Sequence, residues 1–474
     1  MPPQFGTSGL RGPVSSLTPK LVSDYALAFA TCCPIGTGVY IGQDLRPSSP
    51  DIADVLEGAL REAGIDVTSC GAVPTPALAL AASSAGAAAI MVTGSHIPAD
   101  RNGLKFYTPD GEITKSHEAA ILARLRKNKS TSDTGSAVFG TLRHDPDCGA
   151  RYIDRYVKSF GAHALDGLRI GIYEHSSVAR DLLNTVVRAV GGKAVPLARS
   201  NTFIPVDTEA MDPATREQMK VWVHMHKLDA IISTDGDADR PMLVDEKGQL
   251  VPGDVLGPLS AQALAAAHVV TPVSSNTLVE EMALFEQIER TRIGSPFVIA
   301  AMEAALTAAP MARIVGYEAN GGFMLGFTAQ GPVGAIDPLM TRDCLLPLLA
   351  ALSTARAQGL TVSALTARLP KRFTASDRIR DIAPPISAAF LSSMRADPMQ
   401  RTSFFAPLNL DLTQEKGIDL TDGLRISFET GDVVHFRPSG NAPEFRCYVE
   451  SATYDRAQQL LMGCLSRLVA ALER

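Results

Sequence analysis

The sequence lacks any arrangement of cysteines that would define a disulfide framework or a zinc site. Its seven cysteines are odd in number, scattered along 474 residues, and never spaced as a C-x-x-C pair. Such a set is typical of a reducing compartment, and we expect a cytoplasmic protein. The first residues, MPPQFGTSGLRG, contain no apolar run and no cleavage pattern, so no signal peptide is predicted.

An excess of positive charge and long hydrophobic runs are also lacking. The net charge of −6 gives no support to nucleic-acid binding, which usually needs a basic surface. Two stretches without charged side chains, from Thr75 to the residue before Asp100 and Val255–Val279, are rich in Ala, Ser, Pro and Thr. They predict buried pairs of a helix and a strand, and no membrane span. No heptad pattern or apolar stripe favours a particular assembly, so a monomer or a homodimer is expected.

What the sequence does contain is an alternation of short β-rich runs and longer helical runs. GVYIGQD, AAAIMVTG, LRIGIYE, AIIST and HVVTPV are typical of strands. SPDIADVLEGALREAG is typical of a helix, with Ser49 expected as its N-cap and Gly64 as its stop. The rhythm predicts three successive α/β units, whose ligands collect where strands end. The segment GLRISFETGDVVHFRPSG instead predicts two strands around a tight turn, in a C-terminal α+β unit.

Shifts in composition suggest where these units end. The polar segment Arg126–Ser136, the turn-rich segment Asp245–Asp254 and the segment Ala367–Asp377 separate them. A chain of this length is too long for one core. We therefore predict four domains, at residues 1–145, 146–252, 253–368 and 369–474.

The sharpest chemical signal is the acidic segment STDGDADRPMLVDE. Asp235, Asp237 and Asp239 alternate directly after an apolar strand, and carboxylates this close repel one another unless a cation compensates. An EF-hand is excluded, because Arg240 stands where its loop requires glycine and because strands flank the segment. Three carboxylates that leave room for a phosphate oxygen suit Mg²⁺. The alternative is a solvated acidic turn.

A second cluster of polar residues lies in HFRPSGNAPEFRCYVE. Arg437, Ser439, the backbone around Gly440, Asn441 and Arg446 are predicted to share one loop between two strands. Two guanidinium groups with hydroxyl, amide and backbone donors would form a cradle for a phosphate dianion. The alternative is an ordinary Pro-Ser-Gly-Asn turn flanked by arginines.

Weaker signals come from two glycine-rich segments and a histidine pair. GYEANGGF places Glu318 and Asn320 in one loop that could bind neighbouring sugar hydroxyls, although a plain glycine turn explains it as well. FGTSGLRG could bring Arg11 to an anion. His224 and His226 lie in a predicted helix, where residues two apart point in different directions, so no joint metal site is expected.

The segment TGSHIPADRNGLKFY places Ser95 beside His96 in a loop of turn-forming residues. It is not the G-x-S-x-G elbow of a hydrolase, because Ile97 stands at the final glycine position. His96 is too near in sequence to act easily as an in-line base, and no Asp–His partner can be assigned. Lys105 could share the same loop. Taken alone, the segment leaves Ser95 open as a hydrolytic nucleophile, a phosphoryl carrier or a loop residue.

Together these segments resemble the α-D-phosphohexomutase superfamily of phosphomannomutases, phosphoglucomutases and phosphoglucosamine mutases. The resemblance runs from Phe5 to about Tyr448, in the family's order: FGTSGLRG, GQDLRPSS, VPTP, TGSHIPADRNGLK, DGDADR, GYEANGG and RPSGNAPEFR. Any one motif could arise by chance, but the ordered set is specific. It implies four domains around a central cleft, the first three α/β and related, the fourth a smaller α+β unit.

The resemblance also implies roles for the residues of the reaction. Ser95 would be the phosphoserine, and the three aspartates would hold Mg²⁺ together with one of its oxygens. Arg240 would lie near the transferred group. Arg11 and Lys105 match positions implicated in proton handling or charge stabilisation, whereas His96 would support the loop or touch phosphate.

Further implied roles concern the substrate. Glu318 and Asn320 would contact sugar hydroxyls, and the cradle of Arg437, Ser439, Gly440, Asn441 and Arg446 would hold the phosphate that is not reacting. Four positions depart from the usual family pattern: Ile97 replaces Asn, Asn320 replaces Ser, Ser295 replaces a histidine of some members, and Gly322 replaces His. Asn441 stands where many members have Thr. Histidine-dependent sugar contacts are therefore not carried over.

The expected activity is the interconversion of mannose 6-phosphate and mannose 1-phosphate through a phosphoserine enzyme and a hexose 1,6-bisphosphate. The motifs look closest to those of bacterial phosphomannomutases. A phosphoglucomutase or dual-specificity enzyme, and then a phosphoglucosamine mutase, are the alternatives within the family. Outside it, a serine hydrolase would need a base that the sequence does not supply. A non-catalytic sugar-phosphate binder could have lost Ser95 or the aspartates, which are all present.

Overall fold

The computed structural model describes residues 3–6, 9–127, 138–408, 410–412, 414–439 and 443–472. The predicted three α/β units and C-terminal α+β unit are confirmed, because the strands form four large sheets that follow one another along the chain. In the described ranges, no helix combines the length and hydropathy needed to cross a bilayer. The predicted separator Arg126–Ser136 falls mostly outside the described residues.

The first unit is built on an eight-stranded sheet. Its strands are β1 Gln4–Phe5, β2 Leu10–Pro13, β3 Val39–Gln43, β4 Val67–Ala72, β5 Ala88–Val92, β6 Arg101–Thr108, β7 Gly111–Glu112 and β8 Leu142–His144. Its helices are α1 Pro19–Cys32, α2 Ser49–Glu62, α3 Thr75–Ser84 and α4 Lys115–Lys127. The sheet order is β1-β2-β6-β5-β3-β4-β8, with β7 paired to β6. The uncharged stretch that begins at Thr75 is the buried pair α3 and β5, as predicted.

Helix α2 shows how local sequence sets an element. Ser49 was expected as its N-cap, but the helix begins at Ser49 and the N-cap is Ser48. The Ser49 hydroxyl donates to Asp44 at 2.6 Å. Gly64 follows the helix with a φ of 79°, a left-handed conformation that glycine adopts without strain, so the predicted stop is confirmed.

The second unit has a five-stranded sheet in the order β10-β9-β11-β12-β13. Its strands are β9 Arg169–His175, β10 Lys193–Arg199, β11 Ala230–Thr234, β12 Pro241–Val244 and β13 Leu250–Val251. Its helices are α5 Cys148–Phe160, α6 Arg180–Ala189 and α7 Pro213–His226.

The third unit has a five-stranded sheet and a short hairpin. Its strands are β14 His268–Pro272, β15 Gln287–Thr291, β16 Ile314–Tyr317, β17 Phe323–Leu325, β18 Ala329–Gln330, β19 Ala335–Ile336 and β20 Leu339–Asp343. Its helices are α8 Gly253–Ala263, α9 Leu278–Glu281, α10 Ser295–Ala308, α11 Leu345–Ala357 and α12 Val362–Thr366. The sheet order is β15-β14-β16-β17-β20, and β18 pairs with β19.

The three α/β units share one strand pattern. In each, a central strand has a parallel neighbour on both sides, and the second neighbour is followed by an antiparallel strand. The four strands are β4-β3-β5-β6, β10-β9-β11-β12 and β15-β14-β16-β17. The coarse repeat suggested by the sequence rhythm is therefore a repeat of topology.

The C-terminal unit is an antiparallel sheet in the order β21-β25-β24-β23-β22. Its strands are β21 Phe373–Arg380, β22 Glu415–Asp419, β23 Leu424–Phe428, β24 Val433–Pro438 and β25 Glu444–Ser451. Its helices are α13 Pro384–Ala396, α14 Pro398–Phe405 and α15 Tyr454–Leu472.

The buried apolar residues join the first three units but leave the last one separate. The largest cluster includes Leu78 on α3, Ile172 on β9 and Leu348 on α11, so it crosses all three α/β units. The cluster of the C-terminal unit begins at Ile382 and contains no residue of the others. Polar contacts instead attach this unit: Glu450 accepts from the backbone amide of Thr277 at 2.9 Å.

Candidate active site

The same connection carries the polar motif in each α/β unit. Ser95 lies between β5 and β6, the three aspartates between β11 and β12, and Glu318 with Asn320 between β16 and β17. In each case the chain leaves a parallel strand at its C-terminal end and returns as the antiparallel strand. The repeated topology therefore brings a nucleophile, an acidic cluster and a carboxylate–amide pair to equivalent places.

Ser95 is buried, with 1% of its surface exposed, and its φ of 55° lies in the left-handed region. A non-glycine residue in that region is typically held there by its surroundings. Its backbone amide donates to the Thr93 hydroxyl at 2.7 Å. Its hydroxyl donates to the Asp235 carboxylate at 2.6 Å and lies 3.3 Å from Nδ1 of His96. The serine hydroxyl thus points directly at the acidic segment of the second unit.

Arg46, which follows β3, fixes the backbone of the serine loop. Its guanidinium donates to the carbonyls of Ser95 at 2.8 Å and of Ile97 at 2.6 Å, and also to the carbonyls of residues 98 and 101. Its Nε is paired with the buried Asp44 at 3.1 Å, and its guanidinium lies 4.1 Å from the ring centroid of Phe203. Arg46 binds the backbone carbonyl of Ile97, so the isoleucine side chain that replaces the family's asparagine does not affect this contact.

The three aspartates are fully buried and form one cluster with Lys105. Lys105 was expected to share the serine loop, but it lies on strand β6, where it is paired with Met91 of β5. Its ammonium contacts Asp237 and Asp239 at 2.5 Å each. Thr75 donates a further hydrogen bond to Asp237, also at 2.5 Å.

The acidic cluster has the chemistry of a divalent-cation site. One carboxylate oxygen from each of Asp235, Asp237 and Asp239 lies within 4.8 Å of the others, the sole group of this kind among the described residues. The Oδ1 atoms of Asp237 and Asp239 are buried and receive no hydrogen bond. Buried carboxylate oxygens without a donor are unfavourable unless a cation binds them, and oxygen ligands suit Mg²⁺. The residues present therefore fit such an ion.

The pKa values of two of the aspartates shift in opposite directions. Burial, followed by repulsion from Asp237 and Asp239, raises the pKa of Asp235 to about 8. Burial opposes ionisation of Asp237 as well, but the charge and hydrogen bond of Lys105 outweigh it and hold its pKa below the usual range. Lys105 therefore stabilises the charged form of Asp237, whereas burial and the neighbouring carboxylates oppose the charged form of Asp235.

Cationic groups surround the serine and the aspartates. Arg240 lies 4.0 Å from the Asp235 carboxylate, and Arg342 on β20 is paired with Asp239 at 2.6 Å. Burial, with repulsion from Arg240 and Arg342, lowers the pKa of Arg11 to about 10. Guanidinium groups that repel one another in this way are stabilised when an anion binds between them. The predicted anion contact of Arg11 is compatible with this position on β2.

His96 does not have the surroundings of a catalytic base. Arg240, then burial and Arg11, lower its pKa, so the imidazole is neutral. Among the described contacts of His96 there is no carboxylate that could orient the ring, as a hydrolase triad requires. The predicted helix of His224 and His226 is confirmed as α7.

Glu318 and Asn320 line the third loop, each with 5% of its surface exposed. Glu318 is 3.3 Å from Arg342, and the Asn320 side-chain oxygen accepts from the amide of Gly322 at 2.9 Å. A β-carbon at position 322 would lie 2.8 Å from the Arg342 side chain, so a histidine there would displace it. The loop sequence Glu-x-Asn-Gly-Gly, which replaces the usual Glu-x-Ser-Gly-His of the family, is thus compatible with its surroundings, and Asn320 shapes the loop. Thr208 of the second unit donates to the Asn320 carbonyl at 3.1 Å.

Ser295, the third departure, bridges two units. It begins α10, and its hydroxyl donates to Glu112 on β7 at 3.1 Å. Thr341 donates to the other oxygen of Glu112 at 3.2 Å. Ser295 therefore contributes to the contact between the first and third units.

The C-terminal arginines lie on strands, not in the loop where they were expected. Arg437 is the residue before the end of β24, and Arg446 is the third residue of β25; the two are directly opposite in the register. Directly paired residues of an antiparallel sheet share one face, so the two arginine side chains leave the same face of the sheet. The amide of Ser439 donates to the carbonyl of Glu444 at 2.8 Å. Gly440 and Asn441 lie outside the described residues.

Arg437 and Arg446 share no described hydrogen bond with the serine loop.

Three contributors were missed by sequence reasoning. Arg46 and Thr75 lie inside segments noted only for family likeness, GQDLRPSS and VPTP, and Arg342 belongs to no motif. For Arg46, the signal was a charged pair, Asp44 and Arg46, directly after an apolar strand. Arg342 left no comparable signal.

Comparisons with known proteins agree with this arrangement. Family models described as α/β/α domains I, II and III of phosphoglucomutase/phosphomannomutase match residues 2–132, 150–248 and 252–373. A phosphomannomutase of Sinorhizobium fredii is 43% identical over 481 residues, which cover all of both chains. One of Salmonella muenchen is 41% identical over 476 residues, covering 99% of this chain and 96% of the relative.

A solved structure is similar in fold. It is described as a phosphoglucomutase/phosphomannomutase family protein of Burkholderia thailandensis. The TM-score is 0.76 at 22% identity, covering 98% of this chain and 97% of that one.

Proposed function

The chain belongs to the phosphoglucomutase/phosphomannomutase family, and from that premise we propose that it is a phosphomannomutase. It would interconvert mannose 6-phosphate and mannose 1-phosphate. One observation carries the chemistry: the hydroxyl of the buried, left-handed Ser95 bonds at 2.6 Å to an aspartate of the acidic cluster. The choice of mannose is supported by the two full-length relatives, both phosphomannomutases.

Ser95 is the proposed carrier of the phosphoryl group. In the forward half-reaction the bond between Ser95 Oγ and phosphorus breaks as a bond forms between phosphorus and a sugar hydroxyl. The sugar oxygen gives up its proton, and the serine oxygen regains one. The product is a hexose 1,6-bisphosphate, which turns over in the cleft and returns its other phosphate to Ser95.

Asp235, Asp237 and Asp239 are the proposed ligands of Mg²⁺. When bound, the ion would neutralise charge on the phosphoryl oxygens next to Ser95. The Oδ1 atoms of Asp237 and Asp239, which are buried and accept no hydrogen bond, support this assignment.

The remaining residues position groups and balance charge. Arg240 and Arg11 would bind the transferred phosphoryl group, whose charge spreads over its oxygens in the transition state. Lys105 and Arg11 are the proposed groups for proton handling or charge stabilisation. His96, neutral and 3.3 Å from Ser95 Oγ, supports the loop and could contact phosphate.

Substrate binding would involve both faces of the cleft. Glu318 would accept hydrogen bonds from sugar hydroxyls, with Asn320 shaping the loop. Arg437 and Arg446, with Ser439, Gly440 and Asn441, would hold whichever phosphate is not being transferred. Because one site binds the idle phosphate, either end of the bisphosphate can be presented to Ser95.

We keep the domain boundaries at 1–145, 146–252, 253–368 and 369–474 as a proposal. A cytoplasmic location also remains proposed, supported by seven cysteines that are all free thiols. The assembly, a monomer or a homodimer, is a prediction.

A coupled assay with Mg²⁺ and catalytic bisphosphate tests the function. We expect kcat/KM to be highest for mannose 1-phosphate among mannose, glucose and glucosamine 1-phosphates. Ser95→Ala should lose nearly all turnover and, by intact mass, the added phosphoryl group. The matched control is Ser83→Ala, at an exposed serine on α3, which should keep both.

The outcomes separate the parts of the proposal. Full activity of Ser95→Ala would overturn the phosphoserine mechanism. A preference for the glucose or glucosamine phosphate would overturn only the choice of mannose and favour a phosphoglucomutase or a phosphoglucosamine mutase.

A further inference from the structure

A single aspartate, Asp422, joins the C-terminal unit to the third unit beside the arginine cradle. It lies in the turn between β22 and β23. One of its carboxylate oxygens accepts from Nε of Arg437 at 3.0 Å. The other accepts from the backbone amide of Ile293 at 3.0 Å, in the segment between β15 and α10.

The turn that carries Asp422 is itself fixed. The backbone carbonyl of Asp422 accepts from Nε2 of His435, two residues before Arg437 on β24, at 2.5 Å. His435 is buried, and burial lowers its pKa to about 4, so the ring is neutral. The carboxylate therefore has little freedom to leave Arg437 while β23 and β24 stay paired.

The contact with Nε constrains how Arg437 can present itself. A guanidinium is planar and carries five N–H donors, of which the contact with Asp422 uses one. Holding Nε fixes the plane of the group and leaves the two terminal nitrogens, which can bind a phosphate with two parallel hydrogen bonds. A carboxylate this close weakens the positive potential of Arg437. Asp422 would therefore help a phosphate site by orienting Arg437, and not by adding attraction for the phosphate.

A second contact between the C-terminal unit and the third unit does not involve the arginine cradle. Glu450 accepts from the amide of Thr277 at 2.9 Å and from Arg372 at 2.5 Å. No described hydrogen bond links this group to Arg437 or Arg446. Of the two contacts, the one at Asp422 reaches the proposed phosphate cradle.

We propose that Asp422 is a positioning residue, which orients Arg437 toward the phosphate that is not transferred and ties that orientation to docking of the C-terminal unit on the third unit. The inference rests on the proposed function for the identity of the anion. It adds that the aspartate which orients the cradle is itself held by a backbone amide outside its own unit, that of Ile293.

The test is a double-mutant cycle between Asp422 and Arg437. Because Arg437 binds the idle phosphate equally in ground and transition states, Asp422→Ala should raise KM for the hexose phosphate by about 10- to 100-fold, with kcat little changed. In the Arg437→Ala background, Asp422→Ala should change KM little further, since the residue through which it acts is gone. Asp422→Asn, with one acceptor oxygen, should fall between.

Asp432→Asn is the matched control. Asp432 is a buried carboxylate in the same unit, paired with Arg456 at 2.7 Å and hydrogen-bonded to Ser451. Among the described hydrogen bonds and ion pairs, none joins Asp432 to Arg437. Asp432→Asn should lower the melting temperature and leave KM near that of the wild type. If Asp422→Ala behaves like this control, or if its effect persists in full in the Arg437→Ala background, the proposal is wrong. Should Asp422→Ala fail to fold, Asp422→Asn carries the same cycle.

The proposal and the function are judged separately. If the wild type turns over none of the three hexose phosphates, the proposed function fails. The cycle is then read from calorimetric Kd values for mannose 1-phosphate and inorganic phosphate. If the effects of the Asp422 and Arg437 substitutions on those Kd values simply add, the role of Asp422 is overturned. If Asp422→Ala weakens binding only while Arg437 is present, the role is supported for a phosphate ligand of another kind.

Discussion

Arg46 illustrates how a residue away from the chemistry can control it. It binds three carbonyls of the serine loop and that of Arg101, the first residue of β6, and it pairs with Asp44 in a buried site. Arg46→Lys keeps the charge but replaces a planar group of five donors by a compact one of three. We expect stability to fall by about 2–4 kcal/mol and kcat to fall by about 100-fold, because Ser95 is displaced.

Urea unfolding and the coupled assay measure the two effects of Arg46→Lys. The control is Arg61→Lys, since Arg61 donates from Nε to one carbonyl, that of Gly140, at 3.1 Å. A normal kcat in Arg46→Lys would show that the serine loop holds its shape without the guanidinium.

Single residues also mark the limit of prediction from the sequence. Ser95, Asp235 and Glu318 could be proposed because each lies in a run of several informative letters. Arg342 could not, since it is one arginine in an ordinary strand, and its value comes from partners 103 and 24 positions away, Asp239 and Glu318. Contacts at such separations follow from how the units pack, which local pattern does not encode.

At the scale of elements, the first turn of α8 makes stability depend on pH. Asp254 is 3% exposed, and its carboxylate accepts from the amide of Asn276 at 3.1 Å. Burial raises its pKa to about 7, against about 3.9 in an unfolded chain. Between these values the folded protein holds a proton that the unfolded chain has lost. The contribution of Asp254 therefore declines as pH rises from about 4 to about 7, by at most about 4 kcal/mol.

Asp254→Asn removes this dependence, because an amide of the same shape needs no proton. The melting temperature of the variant relative to the wild type should rise between pH 5 and pH 8. Calorimetry at both values measures it, with Asp51→Asn at the exposed start of α2 as the control. A constant difference between the two pH values would contradict the assignment.

Elements were predicted better than the positions of side chains on them. The strand-like runs and the helix of Ser49–Gly64 are present with small shifts at their ends. Lys105 was placed in a loop because it lies close to Ser95 in the sequence, and Arg437 because it belongs to a polar segment between two strands, yet both lie on strands. A charged residue on a buried strand is disfavoured locally, and only partners from another unit, such as Asp237 for Lys105, make it stable.

At the scale of the whole molecule, the separation of apolar cores predicts two unfolding events. The core that joins the three α/β units contains no residue of the C-terminal unit, and Phe436 is fully buried in the core of that unit. Phe436→Ala should destabilise the C-terminal unit by about 3–5 kcal/mol. In calorimetry it should move one transition and leave the other.

Phe323→Ala is the matched control, because Phe323 is equally buried but belongs to the shared core. Phe323→Ala should lower the temperature of the transition of the three α/β units and leave that of the C-terminal unit unchanged. One joint transition that shifts with both variants would mean that contacts such as Thr277 with Glu450 couple the units more strongly than their separate cores imply.

The repetition of one strand pattern has a consequence for how such a protein can change. Each unit gives the same connection a different task, and each connection is anchored on strands of its own sheet. Under the proposed function the loop of Glu318 and Asn320 contacts the sugar, and the strands that carry Ser95 and the aspartates belong to other sheets. On that proposal, a mutation that reshapes this loop would change sugar preference while those strands keep their places.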